Sequence, residues 1–125
     1  MPSTTVESQL STSPSDDAGK VSDGLQLALA AARVAFDNRG QDITVLDLRG
    51  VTPICDFFVV ATGTSRRQLH AISEDIDEKL ERDLGDRRFG REGYDESRWI
   101  LLDYGNVVIH LFDEETRRFY DIEGM

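Results

Sequence analysis

The stretch WILLDYGNVVIHLFDEETRRFYD, residues 99–121, decides the fold of this 125-residue chain. Two β-prone runs, 99–103 and 107–112, are separated by little more than Gly105 and Asn106. These two residue types tolerate the positive φ that a two-residue hairpin turn requires. The pattern predicts an antiparallel hairpin. Asp113 then begins a short helix, with acidic residues in its first turn and arginines near its end.

The two faces of the predicted hairpin differ in chemistry. If Tyr104 lies opposite Val107, the two-residue period of a strand assigns one apolar set to the core. That set is Ile100, Leu102, Val107, Ile109 and Leu111, with Tyr104 beside it at the turn. The other face pairs Trp99 with Phe112, Leu101 with His110, and Asp103 with Val108. Two interpretations of this second face stay open: a helix covers it as a second core layer, or it is exposed and presents Trp99 for binding.

Upstream, the apolar spacing predicts one helix and two strands. Residues 22–38 have the helical period, with Ser22 as a cap and Gly40 just past the end. The apolar stripe consists of Leu25, Ala28, Leu29, Ala32 and Phe36. Residues 43–48 alternate as in a strand, and the uninterrupted apolar run 57–61 indicates a central strand buried on both faces.

A second long helix follows the turn at residues 62–65 and continues until Gly85. Its apolar positions are Leu69, Ile72, Ile76, Leu80 and Leu84. An edge strand is predicted around Arg88 and Phe89. The sum is an α/β domain over residues 21–125, with a mixed sheet of about five strands and about three helices. Residues 1–20 are rich in Ser, Thr and Asp, which predicts a disordered tail.

Three segments together resemble the ribosome silencing factor family, also called the Iojap family. They are QDITVLDLRG at 41–50, DFFVVATGTSRRQ at 56–68, and the hairpin with its helix. The resemblance covers about the last hundred residues. It implies a nucleotidyltransferase-like fold that lacks the catalytic carboxylates, and a protein that is not an enzyme.

Composition and charge restrict the classes of function. The chain is 39% hydrophobic and 30% charged, as is typical of one globular domain, and no apolar run approaches the length of a membrane span. The amino terminus has no signal-peptide pattern, so a cytoplasmic location is expected. A net charge of −10 disfavours binding to nucleic acid through its phosphates, but suits docking on a basic protein.

Nucleotidyl transfer is the most specific enzymatic alternative, because Gly63–Ser65 is followed by Asp75 and Asp77. Enzymes of that type combine a Gly-Ser turn with two carboxylates that hold magnesium. Residues two apart on a helix point about 200° apart around its axis, so these two carboxylates cannot grip one ion. The helical period of this segment therefore disfavours the activity.

Three weaker signals have structural interpretations that we favour. Gly63–Ser65 with Arg66 and Arg67 is a candidate phosphate site, but the loop lacks the lysine and spacing of a P-loop, so a helix cap is expected. Cys55 is a candidate nucleophile, but a lone cysteine before an apolar strand is more often a small buried residue. With only His70 and His110 besides it, a zinc cluster is not indicated, and no metal or cofactor is expected.

The basic residues of the chain also have two interpretations. Arg82, Arg87, Arg88 and Arg91 form a cluster with Phe89. Such a cluster could contact ribosomal RNA at the margin of a protein interface. A solvated face that balances the acidic residues of the second helix is the interpretation that we favour.

The resemblance implies docking on the large ribosomal subunit, chiefly on ribosomal protein number fourteen. Bound there, a compact domain sterically blocks joining of the small subunit and represses translation. A role in large-subunit assembly is the alternative, and a homodimer through the same face stays open when the partner is absent. The expected partner-binding residues are Trp99 and Tyr104 as anchors, with Asp103, Asn106, His110 and Glu92 around them.

Overall fold

The computed structural model describes residues 3–5 and 23–124, which form a sheet and three α-helices. In chain order the elements are β1 (Ser3–Thr5), α1 (Asp23–Asp37), β2 (Gln41–Asp47), β3 (Phe57–Gly63), α2 (Arg66–Leu84), β4 (Gly90–Glu92), β5 (Trp99–Asp103), β6 (Val107–Asp113), α3 (Glu114–Tyr120) and a short 3-10 helix (Ile122–Gly124). The predicted α/β class is confirmed. The five strands within residues 23–124 match the predicted number, and β1 adds a sixth.

The strands form one mixed sheet in the order β1-β2-β3-β6-β5-β4. All neighbours are antiparallel except β3 and β6, which run parallel in the middle of the sheet. The central position predicted for residues 57–61 is confirmed. Of the predicted disordered tail, residues 3–5 form β1, and the other positions lie outside the described residues.

One face of the sheet carries the main core under α1 and α2. Buried side chains of β3, β5 and β6 meet the apolar positions of α2 there, as the hairpin pattern predicted. The stripe predicted for α1 is wrong at Phe36, which is 46% exposed. Leu27, Ala31, Val34 and Ala35 are buried instead, because α1 is rotated so that its small residues face the sheet and α2.

Both ends of α2 are capped as the sequence predicted. The Ser65 side chain accepts a hydrogen bond from the backbone N–H of Gln68, and Gly85 ends the helix in the left-handed conformation at φ +73°. The predicted edge strand is real but begins later, at Gly90. Phe89 precedes the strand, and its backbone N–H donates to the carbonyl of Asp103 at 2.7 Å.

The last helix, α3, is fixed to the second face of the sheet. Asp113 caps it by accepting from the N–H of Thr116. Arg117 forms two hydrogen bonds with Glu123, at 2.7 and 2.8 Å, and also donates to the carbonyl of Asp42 and the hydroxyl of Thr62. Within the described ranges, no helix combines the length and apolarity needed to cross a bilayer.

Candidate functional site

The hairpin has the register that the sequence predicted. Trp99 lies opposite Phe112, Leu101 opposite His110, and Asp103 opposite Val108. Parallel pairing places Phe58 of β3 beside Val108. We call the resulting surface the hairpin face, and its members are Phe58, Trp99, Leu101, Asp103, Val108, His110 and Phe112.

The first interpretation, a helix over this face, holds at the end that carries Trp99 and Phe112. Phe112 is fully buried and lies in one small core with Ile122, while the Trp99 ring lies 4.9 Å from that of Tyr120 in α3. Toward the hairpin turn the cover ends, and Phe58, Leu101 and Val108 are only half-buried. The helix therefore covers one end of the hairpin face and leaves an apolar strip at the other.

Trp99 and His110 form a hydrogen-bonded pair within this face. The indole N–H of Trp99 donates to Nδ1 of His110 at 3.0 Å. His110 was predicted to be a surface residue, and that is wrong, because it is only 5% exposed beneath the rings of Phe58 and Phe112. Burial lowers the pKa of His110 to about 4, so the imidazole is neutral at pH 7. Within the described chain its Nε2 has no hydrogen-bond partner.

The turn end of the hairpin carries the polar candidates. The Asp103 carboxylate is half-buried and accepts from the N–H of Gly105 at 2.8 Å, which leaves its charge near the surface. Asn106 is exposed, and its carbonyl accepts from the N–H groups of Asp56 and Phe57. Glu92 is exposed and lies opposite Leu101 on the edge strand. An acidic rim thus borders the half-buried apolar strip.

Tyr104 points into the protein, although it was expected to anchor a partner. The residue is 7% exposed, and its hydroxyl donates to Asp77 Oδ1 at 2.7 Å. Arg88 pairs with the other oxygen of Asp77 at 2.8 Å. Burial and the bond to Asp77 raise the pKa of Tyr104. The cause is the packing of α2 against the core side of the hairpin, which offers the hydroxyl an acceptor inside the protein.

Comparison with known proteins gives one consistent result. Residues 21–125 match the sequence model of the family described as "Ribosomal silencing factor during starvation". The chain is 37% identical over 95 residues to the ribosomal silencing factor RsfS of Bacillus subtilis, which covers 76% of this chain and 80% of the relative. The chain belongs to the ribosomal silencing factor family.

More distant relatives and a solved structure agree with this assignment. The chain is 35% identical over 114 residues to the chloroplastic protein Iojap of Arabidopsis thaliana, covering 89% of this chain and 46% of the relative. It is also 31% identical to the mouse protein named "Mitochondrial assembly of ribosomal large subunit protein 1". That match covers 98% of this chain and 53% of the relative. A crystal structure of a Chromobacterium violaceum protein superposes with a TM-score of 0.78 at 33% identity, covering 82% and 85%.

In this family member, the residues considered for nucleotidyl transfer form structural contacts. Asp75 binds the side chains of Asn38 and Lys79, while Asp77 binds Tyr104 and Arg88 on a different side of α2. Within residues 23–124, no group of three or more acidic, His or Cys side chains could hold a metal ion. The two carboxylates therefore lie on different sides of α2, as their spacing on a helix predicted.

Cys55 and most of the basic cluster have structural roles, as the sequence analysis favoured. Cys55 is 4% exposed in the smaller core, and burial raises the pKa of its thiol. Of the basic cluster, Arg82, Arg87 and Arg88 each form an ion pair with an acidic residue of α2. Arg91 lies 3.8 Å above the ring of Tyr94. The expected balance between basic cluster and acidic helix is confirmed for the three paired arginines.

Sequence reasoning missed two features at the hairpin face. Phe58 became part of the face only through parallel pairing with β6, which no local pattern in residues 57–61 indicates. The loop 93–98 is held on α2 by a polar cluster: Nε2 of His70 lies 2.6 Å from Ser97 Oγ and 2.8 Å from the Tyr94 carbonyl. Ser97 has φ +57°, an uncommon conformation that marks this loop as specifically shaped.

Proposed function

We propose that this chain silences ribosomes in the cytoplasm by docking on the large ribosomal subunit, chiefly on ribosomal protein number fourteen. A bound domain there obstructs the surface that the small subunit must reach, so joining fails and translation is repressed. The mechanism requires occupation of a surface and no chemical reaction. Membership of the silencing factor family supports the general role.

The observation that carries the proposed site is the uncovered half of the hairpin face. Phe58, Leu101 and Val108 form a half-buried apolar strip, in which Phe58 and Val108 pack at the margin of the smaller core. Trp99 borders it at one end, and tryptophan is the residue type most enriched among interface hot spots. An apolar centre with a polar rim is the usual anatomy of a protein interface.

The charge of the rim supports a basic protein partner rather than RNA alone. Asp103 and Glu92 border the apolar strip, and the whole chain carries a net charge of −10. Complementary charge accelerates association with a basic surface, whereas RNA phosphates would be repelled. Asn106 is an exposed polar residue at the turn, and His110 holds the indole of Trp99 through a hydrogen bond. Tyr104 stabilises the turn from the core side through its bond to Asp77.

A second candidate function has its own supporting observation. One relative is named for mitochondrial assembly of the ribosomal large subunit. An assembly factor could use the same surface and leave before translation begins. It would bind immature large particles better than finished subunits, whereas a silencing factor binds finished subunits. A homodimer through the apolar strip in the absence of ribosomes is compatible with either role.

The test is co-sedimentation of the protein with purified large subunits, small subunits and reassociated ribosomes. We expect selective pelleting with large subunits and fewer joined ribosomes as the protein is added. Trp99→Ala is expected to weaken binding by about 2 kcal/mol, roughly 30-fold. Leu101→Ala, which removes no hydrogen bond, is expected to weaken it as well.

Phe36→Ala is the matched control, because Phe36 is an exposed aromatic residue on α1, which packs on the opposite side of the sheet. Melting curves identify variants that lose binding by unfolding. Equal pelleting with small and large subunits would contradict the proposal. Folded Trp99→Ala and Leu101→Ala proteins with unchanged binding would move the site away from the hairpin face. Stronger binding to immature particles would favour the assembly role.

A further inference from the structure

A groove separates the loop 93–98 from α3, on the side of Trp99 away from the apolar strip. Its volume is about 640 Å³. The residues that matter for its chemistry are Glu96, Trp99, Glu115, Phe119 and Tyr120. Neither the fold nor the proposed docking surface accounts for this groove.

Three aromatic rings form one wall of the groove. The ring centroids of Trp99 and Tyr120 are 4.9 Å apart, and those of Tyr120 and Phe119 are 5.0 Å apart at an interplanar angle of 85°. Phe119 is 79% exposed and Tyr120 is 52% exposed. The helix that carries them therefore presents aromatic faces to solvent, and such faces attract cations through the ring quadrupole.

Most of the charged side chains in the remainder of the lining are acidic. Glu96 and Glu115 are exposed, and neither forms an ion pair with any described residue. Asp113 adds a third carboxylate, against a single cation at Arg98. The excess of negative charge beside open aromatic rings is complementary to a cation that can also stack.

We propose that this groove binds an arginine side chain from a basic segment of a partner protein. A guanidinium stacks on aromatic faces and forms paired hydrogen bonds with carboxylates, so it uses both parts of the lining at once. RNA and other phosphate ligands meet repulsion from the same carboxylates. The chain's own residues 1–22 do not fit, since their charged positions are Glu7, Asp16, Asp17 and Lys20.

The inference goes beyond the proposed function, because it assigns a second surface and a ligand chemistry that do not depend on the ribosome. Trp99 is shared between the two surfaces, whereas Glu115 and Phe119 belong to the groove alone. Variants at these two positions therefore separate the groove from the hairpin face.

The experiment uses Trp99, the only tryptophan of the chain, as an intrinsic fluorescent reporter. A capped peptide of alternating glycine and arginine is titrated into the full-length protein at low salt. A peptide in which citrulline replaces arginine is the control probe, because citrulline keeps the shape and loses the charge. We expect a saturable change of Trp99 fluorescence with the arginine peptide only.

Variants then locate the binding. We expect Glu115→Gln and Phe119→Ala each to raise the dissociation constant about threefold or more. Glu114→Gln is the matched control, because Glu114 lies beside Glu115 on the same helix but pairs with Arg118 at 3.8 Å. It makes the same change of charge and is expected to leave the dissociation constant within about twofold. All three positions are exposed, so the variants are expected to fold.

Several results would overturn the inference. One is the absence of a saturable signal with the arginine peptide, and another is equal binding of the citrulline peptide. Equal losses in Glu114→Gln and Glu115→Gln would show that overall charge acts, and not the groove. Saturation by an oligouridylate would assign the groove to nucleic acid instead. Failure of large-subunit binding with intact peptide binding would contradict only the proposed function.

Discussion

At the scale of single residues, the hydrogen bond between Trp99 and His110 explains how the Trp99 ring is held in place on the hairpin face. The indole N–H has a fixed acceptor, Nδ1 of His110, so the ring is held in one orientation. His110 can accept at Nδ1 only while it is neutral, and its burial keeps it so. The orientation of Trp99 thus depends on the protonation state of one residue beneath it.

This dependence predicts an acid-sensitive stability. An unfolded histidine takes up a proton near pH 6.5, whereas His110 in the folded protein resists until about pH 4. The contribution of neutral His110 to the free energy of unfolding is therefore complete above pH 6.5 and is lost as the pH falls toward 4. The total loss is roughly 3 kcal/mol in the free energy of unfolding. Urea unfolding at pH 7, 6 and 5 measures it. His110→Gln keeps an acceptor for Trp99 and is expected to have a shallower pH dependence; an unchanged slope would contradict the assignment.

Tyr104 is the second residue whose role can be tested directly. Tyr104→Phe removes the hydrogen bond to Asp77 and leaves the ring in the core. We expect a loss of about 1–2 kcal/mol in the free energy of unfolding. Large-subunit binding by the folded variant is expected to be unchanged, because the hydroxyl does not reach the surface. Weaker co-sedimentation of a fully folded Tyr104→Phe protein would restore Tyr104 as an anchor.

At the scale of elements, the loop 93–98 links the edge strand β4 to the hairpin and borders the proposed groove. His70, Ser97 and the Tyr94 carbonyl hold this loop against α2, and the ring of Tyr94 stacks on His70 at 3.9 Å. Gly93 begins the loop with φ +77°, and a Cβ there would collide with the carbonyl oxygen of Trp99. The loop therefore passes close to the first residue of β5 only because residue 93 is glycine.

Gly93→Ala is accordingly expected to lower the free energy of unfolding by about 2 kcal/mol or more, from backbone strain and the collision. Gly90→Ala is the matched control in the adjacent strand, because its added Cβ meets nothing within 4 Å. It is expected to change stability by less than about 1 kcal/mol. Thermal or urea unfolding measures both, and equal effects would show that the close approach at Gly93 is unimportant.

The elements differ in how far the sequence could predict them. The hairpin register, the caps of α2 and the start of α3 depend on local patterns, and all are confirmed. The burial of His110 depends on Phe58, and the rotation of α1 depends on its packing against the sheet and α2, all of them contacts between residues distant in sequence. The hydroxyl of Tyr104 likewise found its acceptor on α2. Periodicity assigns a residue to a face but does not specify what lies above that face.

At the scale of the whole molecule, some of the described acidic side chains are paired with basic residues and others are not. The acidic side chains of α2 are largely paired with arginines and Lys79. Glu92 beside the hairpin face forms no ion pair with a described residue, and neither do Glu96 and Glu115 at the groove. Part of the uncompensated charge thus lies beside the surfaces that we propose for binding.

This distribution predicts which charge reversal slows association with large subunits. Glu92→Lys and Glu78→Lys both change the net charge from −10 to −8, since each exchange adds two positive units. We expect Glu92→Lys to lower the association rate and its dependence on salt, because like charges then meet at the interface. Glu78 lies on α2, where its exposed carboxylate pairs with Arg82, and its reversal is expected to have little effect. Stopped-flow measurements over a range of salt concentrations compare them, and equal rates would contradict a local effect.

The parallel pair at the centre of the sheet also determines when this protein can fold during its own synthesis. β3 finds its inner neighbour only in β6, so the hydrogen-bonding edge of residues 57–63 stays unpaired until residue 113 has been made. A nascent chain that ends before β6 exposes an apolar strand with an open edge, which is the form most prone to aggregation. The sheet is therefore expected to close only after β6 has been synthesised.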